Sequence, residues 1–178
     1  MKNRKVVPAA LALLALLPLA SAPARAESSS PIQIALFNPV QIVPETKSVG
    51  GLRINLIYGV NKDMSGLDVG LVNSTKGVFK GFQYGIVGIT EGKFYGLGDN
   101  FVNIARDEMR GVQWGFYNSA RDAHGAMFGF INSTESMDGF QLAFLNMTQN
   151  LRGLQVGLVN VASKVPGHPV LPIVNWKF

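Results

Sequence analysis

Cysteine is absent from this chain of 178 residues, and histidine occurs only twice. Without cysteine, the protein has no disulfide bonds, no thiolate ligands for a metal and no cysteine nucleophile. Neither His124 nor His168 has a second ligand at a metal-like spacing. The sequences Gly-x-Ser-x-Gly and His-Glu-x-x-His are also missing, so no hydrolase nucleophile or zinc-peptidase site can be named. The sequence therefore predicts a protein that is not an enzyme and that binds no metal or other cofactor.

The net charge is also small once residues 1–26 are excluded. Residues 1–26 have the form of a secretory leader, with a positive start, an apolar run over 6–22 and a small-x-small cleavage sequence at 24–26. The leader holds four of the sixteen basic residues, which leaves twelve basic and eleven acidic residues in the rest of the chain. A nearly neutral chain lacks the basic stripe that phosphate binding needs, which argues against nucleic acid as a partner. We expect residues 27–178 to form one exported domain.

One short phrase recurs seven times over residues 66–160. Its clearest copy is Gly111-Val-Gln-Trp-Gly-Phe-Tyr-Asn118, and successive copies start fifteen residues apart three times and fourteen residues apart three times. Large apolar side chains take every second position after the opening glycine. This alternation is typical of a strand whose two faces meet different surroundings, and two glycines in each copy disfavour a helix. The repeat therefore predicts an all-β fold.

The number of segments suggests a closed barrel. Two alternating segments precede the repeats and one follows them, which gives ten candidate strands. An even number suits an antiparallel up-and-down barrel of the bacterial outer membrane, with the apolar side chains toward lipid. We take this ten-stranded barrel, built from 14–15-residue repeats, as the primary prediction. A belt of polar side chains would then fill the lumen or line a permeation path: Gln33, Arg53, Asp68, Gln83, Asn100, Gln113, Gln141 and Gln155.

A β-solenoid is the alternative, with each repeat forming one coil stacked in parallel on the previous one. Asparagine recurs at one point of the repeat, and an inward ladder of asparagines can satisfy the backbone groups of successive turns. The phrase Gln-x-Gly-x-x-Asn-x-Ala is similar to part of the curlin fibre repeat, although the spaced serine before it and the second glutamine after it are missing. A solenoid would be an exported surface module that binds proteins or glycans through a flat repetitive face. The recurring asparagines are Asn73, Asn103, Asn118, Asn132, Asn146 and Asn160.

The carboxy terminus alternates toward a final aromatic residue through Val174, Trp176 and Phe178. This ending resembles the carboxy-terminal signal of bacterial outer-membrane β-barrel proteins, which implies contact with outer-membrane lipid and with the barrel-assembly machinery. Together with the tandem repeats and the segment Asn38-Pro-Val-Gln41, it also resembles the bacterial surface repeat-containing proteins. That family implies an address in the envelope and no established chemistry. The combined prediction is a non-enzymatic protein of the outer membrane or cell surface with a structural or permeation role.

Overall fold

A computed structural model describes residues 29–167 and 169–178, so the predicted leader lies outside the described residues. The described residues form strands and connecting turns, which confirms the all-β prediction. Within these ranges, no helix has the length and hydropathy that a membrane span requires. The strands are β1 (Ser30–Phe37), β2 (Val40–Gln41), β3 (Val49–Asn61), β4 (Met64–Thr75), β5 (Phe79–Thr90), β6 (Phe94–Leu142), β7 (Leu145–Thr148), β8 (Asn150–Ala162) and β9 (Val170–Lys177).

Successive repeats pair in parallel and in register, so the chain winds as a β-solenoid of about nine turns. The opening glycines of neighbouring coils lie side by side, as Gly66 with Gly81 and Gly139 with Gly153. Each repeat therefore forms one coil, fifteen residues long in the first pair and fourteen in the second. The ten-stranded antiparallel barrel is wrong, because neighbouring strands of an up-and-down barrel run in opposite directions. The alternative prediction of a β-solenoid is the fold of the molecule.

The charged segments between repeats explain the difference. The sequence predicts solvated turns there, whereas β6 continues through residues 104–110, 119–124 and 133–138 without a break. A chain that stays extended through these segments does not reverse, so the next repeat runs parallel to the last. Alternation within a repeat is the same in a barrel and in a solenoid, and it therefore leaves the direction of the next strand undetermined.

The opening glycine of each repeat marks a corner where successive coils come close together. Gly81, Gly96 and Gly111 have φ angles of 138°, 143° and 127°, in a region that favours glycine. A Cβ atom added at Gly96 would lie 1.9 Å from the carbonyl oxygen of Gly81 in the preceding coil. Any larger residue would push the two coils apart, so the spacing of the glycines sets the length of the coil.

An apolar row runs through the core along the solenoid axis. Its members lie two residues before each opening glycine, in segments that the sequence assigns to turns. The rings of Phe79 and Phe94 stack with their centroids 5.0 Å apart. Adjacent coils are thus held together by side-chain stacking as well as by backbone hydrogen bonds. The buried row consists of Val49, Met64, Phe79, Phe94, Met109, Ala123, Met137 and Leu151.

Antiparallel strands close both ends of the solenoid. At the amino end, β2 pairs antiparallel with β1. At the carboxy end, β9 lies antiparallel along β8, from Gly153 opposite Lys177 to Val161 opposite Val170. Pro172, in β9, has no N–H to offer to a further strand. Within the described residues, the series of parallel coils is thus bounded by antiparallel pairing at each end.

Candidate functional site

The predicted polar belt lies inside the coils. Because the described residues form a solenoid rather than a barrel, the predicted roles of these residues in filling a lumen or lining a permeation path are wrong. The members of the belt occupy the core next to the apolar row, and most take the same point of successive coils, as Arg53 beside Asp68 and Asp68 beside Gln83. Asn100 departs from this pattern, because Gly98 is the residue in register with Gln83. The belt is the polar core of the solenoid, and all its members are 2% exposed or less: Gln33, Arg53, Asp68, Gln83, Asn100, Gln113, Gln141 and Gln155.

Arg53 and Asp68 form a buried ion pair between two adjacent coils. Nε and Nη2 of Arg53 donate to Oδ1 and Oδ2 of Asp68 at 2.8 and 2.6 Å, in the bidentate geometry that favours this pair. Nη1 donates to the carbonyl oxygen of Ser74 at 2.8 Å, while Asp68 also accepts from Asn55 and Gln83. The two opposite charges therefore neutralise each other inside the core. Both side chains are sealed from solvent and fully paired, so the pair serves the core rather than a ligand.

The asparagine ladder of the solenoid alternative is confirmed from Asn103 to Asn160, whereas Gly88 separates Asn73 from it. Nδ2 of Asn103 donates to Oδ1 of Asn118 at 2.8 Å, and Asn118 donates in the same way to Asn132 at 2.9 Å. The series continues to Asn160. The amide of Asn103 also donates to the main-chain carbonyl of Trp114 in the next coil. The ladder therefore satisfies backbone groups that the coil corners would leave unpaired.

Gly88 interrupts the ladder in one coil, and there Asn100 links Asn103 to the glutamine belt instead. Gly88 lies in register with Asn103. Nδ2 of Asn100 donates to Oδ1 of Asn103 at 2.7 Å and to Oε1 of Gln83 at 3.3 Å. Sequence reasoning missed this role. The signal that could have found it is the presence of Gly88 and Gly98 where other repeats have asparagine and glutamine.

The outward surface of the coils is apolar along one side. Rings of Phe101, Phe116 and Phe130 stack in series with centroids 5.0 Å apart. We call this row the apolar edge, and its members are 44–57% exposed: Leu71, Ile86, Phe101, Phe116, Phe130, Phe144 and Leu158. A second outward row, the outer row, lies two residues before it in each coil: Ile54, Val69, Tyr84, Asp99, Trp114, Phe128, Leu142 and Val156. The prediction that this set faces outward is confirmed, whereas its contact with lipid stays a prediction.

Charged side chains lie half a coil away from the apolar edge and form ion pairs between coils. Arg106 pairs with Glu91 at 3.1 Å, and Arg121 pairs with Asp107. A hydrogen bond from Arg110 lowers the pKa of Glu108 below its ordinary value. Exposed pairs of this kind contribute little to stability. We call this side the charged edge, and it comprises Glu91, Arg106, Asp107, Glu108, Arg110, Arg121 and Asp122.

The predicted carboxy-terminal assembly signal lies in the closing strand and just beyond it. In β9, Val174 lies opposite Val156 and Trp176 lies opposite Leu154, while the terminal Phe178 is almost fully exposed. The structure thus gives the segment a place as a cap on the last coil. A role in recognition by barrel-assembly machinery stays a prediction from the sequence.

The described residues contain no cluster of three or more histidine, cysteine, aspartate or glutamate side chains that could hold a metal ion. Nδ1 of His124 lies 3.9 Å from Oδ2 of Asp138 on the exposed surface, and His168 is outside the described residues. Comparison with protein-family models, with curated proteins and with solved structures found no match to this chain. What the geometry offers is a closed polar core and two long outward edges of opposite character. The apolar edge and the outer row are the candidate functional surface.

Proposed function

We propose that the protein is an exported, non-enzymatic β-solenoid module that docks onto a protein or a glycan through its apolar edge and outer row. The observation that carries the proposal is the continuity of exposed apolar side chains over seven successive coils, from Leu71 to Leu158. Coils spaced by about 4.8 Å give this row a length of roughly 29 Å. Soluble monomers rarely expose a contiguous apolar patch of more than a few hundred Å², and larger ones mark interaction sites.

The capped ends support docking from the side. The antiparallel strand β9 covers the last coil, and the two-residue β2 covers part of the edge of β1, which disfavours end-to-end stacking of a second solenoid. The long faces are then the repetitive surfaces left for a partner. Aromatic side chains such as Phe116 and Trp114 supply large, rigid contact areas, which suit both protein and sugar surfaces.

The proposed place of action is the bacterial cell surface. Support comes from the leader-like sequence at 1–26 and from the resemblance to bacterial surface repeat-containing proteins, which rests on the tandem phrase ending at Asn160. Cell fractionation tests this part of the proposal. We expect the processed protein on the cell surface or in the medium without detergent. Recovery of an unprocessed chain from the cytoplasm would refute it.

Binding is tested by screening the purified protein against arrays of glycans and envelope proteins. The variant Phe116→Lys/Phe130→Lys places two charges on the apolar edge, and we expect it to weaken any interaction at least about tenfold, because charge at the centre of an interface is costly. The matched control Arg106→Ser/Arg121→Ser changes the charged edge and should bind as the wild type does. Binding that is lost only in the control, or absent from a protein that stays monomeric, would contradict the proposal.

A further inference from the structure

One carboxylate stands alone in the outer row. Asp99 takes the position that is apolar or aromatic in the other coils, and its backbone lies in register with Tyr84. On the other side, a Cβ at Gly115 would lie 2.0 Å from the carbonyl oxygen of Asn100, so these two residues lie side by side in adjacent coils. Asp99 and Trp114, which directly precede them, are therefore neighbours as well. In the described part of the chain, no hydrogen bond or ion pair holds the Asp99 carboxylate.

Two aromatic rings stand on either side of this carboxylate. Tyr84 is 53% exposed and Trp114 is 60% exposed, so both rings project into solvent. Because adjacent coils lie about 4.8 Å apart, the two residues are separated by roughly 9.6 Å along the axis. In the outer row itself, Trp114 packs against Phe128 of the next coil with ring centroids 5.4 Å apart and ring planes inclined at 31°, so its opposite face is turned toward the coil of Asp99. The shorter Asp99 side chain leaves a gap in the outer row between Tyr84 and Trp114, which we call the slot.

The chemistry of the slot favours a cation. Ring faces carry negative potential, as does the carboxylate, and a third ring, Phe101, stands two residues along the same strand. A cation midway between the strands of Tyr84 and Trp114 would lie about 4.8 Å from each strand along the axis, which is compatible with the roughly 6 Å range of cation–π attraction. A planar guanidinium sandwiched between two rings needs walls only about 7 Å apart. The wider spacing suits a bulky ammonium group that carries methyl substituents.

We propose that Tyr84, Asp99 and Trp114 form a binding slot for one substituted ammonium group of the kind found in choline. The inference rests on the proposed function in one respect, since both require the outer row to be open to a ligand. A wholly apolar ligand would bury the Asp99 carboxylate without a partner, at a considerable cost in desolvation. An ammonium group offsets that cost with its own charge, which is why the carboxylate selects the ligand.

The test is a titration of the purified protein with choline, followed by ligand-observed NMR, beside its uncharged isostere 3,3-dimethylbutan-1-ol. We expect saturable binding of choline and at least about fivefold weaker binding of the isostere. The substitutions Asp99→Asn and Trp114→Leu should each lower the affinity for choline at least about fivefold. Matched controls are Asp138→Asn on a distant exposed carboxylate and Phe144→Leu in the apolar edge, and both should bind choline as the wild type does.

Equal binding of choline and its isostere, or unchanged binding by Asp99→Asn, would overturn the slot. Circular dichroism of each variant verifies the fold, and Tyr84→Leu replaces any variant that fails to fold. If choline fails to bind while the Phe116→Lys/Phe130→Lys variant still loses a partner, the slot is wrong and the docking function stands. If choline binds but no partner for the apolar edge is found, the slot stands and the docking function is wrong. Sedimentation with phosphatidylcholine vesicles separates a lipid headgroup from a free solute as the source of the ammonium group.

Discussion

The polar cores of the first and last coils are built differently, although their backbones pair in the same way. Near the amino end, the Arg53–Asp68 ion pair links two adjacent coils. Both residues take the position that glutamine holds in most other coils. Toward the carboxy end, Gln141 accepts from Gln155 at 2.8 Å, and the asparagine ladder runs on to Asn160 without a gap. One half of the core is thus specific to its position. The other half is interchangeable in its asparagine ladder, although Met127 takes the glutamine position in one coil.

This difference bears on how the chain finds its register. In the interchangeable half, a slip of one whole coil would pair asparagine with asparagine again, so the ladder amides offer no penalty against it. Arg53 finds a carboxylate only when its coil lies against the coil of Asp68. Buried polar pairs are known to fix register in other folds, at some cost in stability. We infer that the ion pair sets the register from which the later coils follow.

Removing one partner of the ion pair should have the largest effect on stability. In Asp68→Ala, the Arg53 guanidinium stays buried without a counter-charge, and we expect the free energy of unfolding to fall by about 3–5 kcal/mol. Urea denaturation measures this change. The control Asp138→Ala removes an exposed carboxylate and should leave the urea midpoint nearly unchanged. Similar midpoints for the two variants would mean that the pair does not stabilise the core.

Cutting the ladder in the interchangeable half should have a smaller effect. In Asn118→Ala, the amide of Asn103 loses one of its acceptors and Oδ1 of Asn132 loses its donor. We expect a loss of about 1–3 kcal/mol, since buried amide groups without a partner carry the cost of desolvation. The exposed Asn150→Ala variant is the matched control for urea denaturation. A loss as large as that of Asp68→Ala would remove the proposed distinction between the two halves.

The gap in the ladder at Gly88 tests whether Asn100 takes the place of the missing asparagine. A Cβ at Gly88 would lie 2.0 Å from Oε1 of Gln83 and 2.6 Å from Nδ2 of Asn100. We therefore expect Gly88→Asn to lower the free energy of unfolding by about 1–3 kcal/mol, as overpacked cores do. The double variant Gly88→Asn/Asn100→Gly removes one of the two side chains in the way and should recover at least about 0.5 kcal/mol, which a double-mutant cycle in urea measures. Additive losses would show that Asn100 does not stand in for the missing ladder residue.

Much of the architecture could be predicted from the sequence, because a repeat shows which positions are equivalent. Alternation gave the outward direction of Trp114 and the inward direction of Gln113 and Gln155, whatever the sheet they belong to. The direction of the next strand could not be predicted, since it depends on whether residues 104–110 turn or stay extended. Met109 illustrates the difficulty, because this buried core residue stands between charged neighbours.

The candidate slot was hidden for a different reason. Tyr84, Asp99 and Trp114 are fifteen residues apart in sequence, and they meet only if the coils stack in parallel. In an antiparallel barrel the same residues would lie at different heights on alternate strands. Aligning the repeats one beneath another would have brought them into a single column. The fold class therefore had to be settled before the site could be seen.

Replacing both charges at once separates register from stability. The variant Arg53→Gln/Asp68→Gln extends the neutral glutamine belt into the first coils, and neither partner is left as a lone buried charge. We expect its free energy of unfolding to lie within about 1–2 kcal/mol of the wild type, since exchange of a buried ion pair for neutral groups is often tolerated. The amides then pair equally well in the native register and in one shifted by a coil.

The predicted consequence is heterogeneity rather than unfolding. Two-dimensional NMR of the double variant should show a second set of amide signals for the amino-terminal coils, where β3 meets β4, and one set for the wild type. The variant Gln141→Asn/Gln155→Asn serves as the control, since it changes two belt residues in the interchangeable half and should keep a single set of signals. A single set in both variants would mean that the opening glycines and the end strands already fix the register. The ion pair would then contribute to stability alone, and the two halves of the core would differ in composition but not in role.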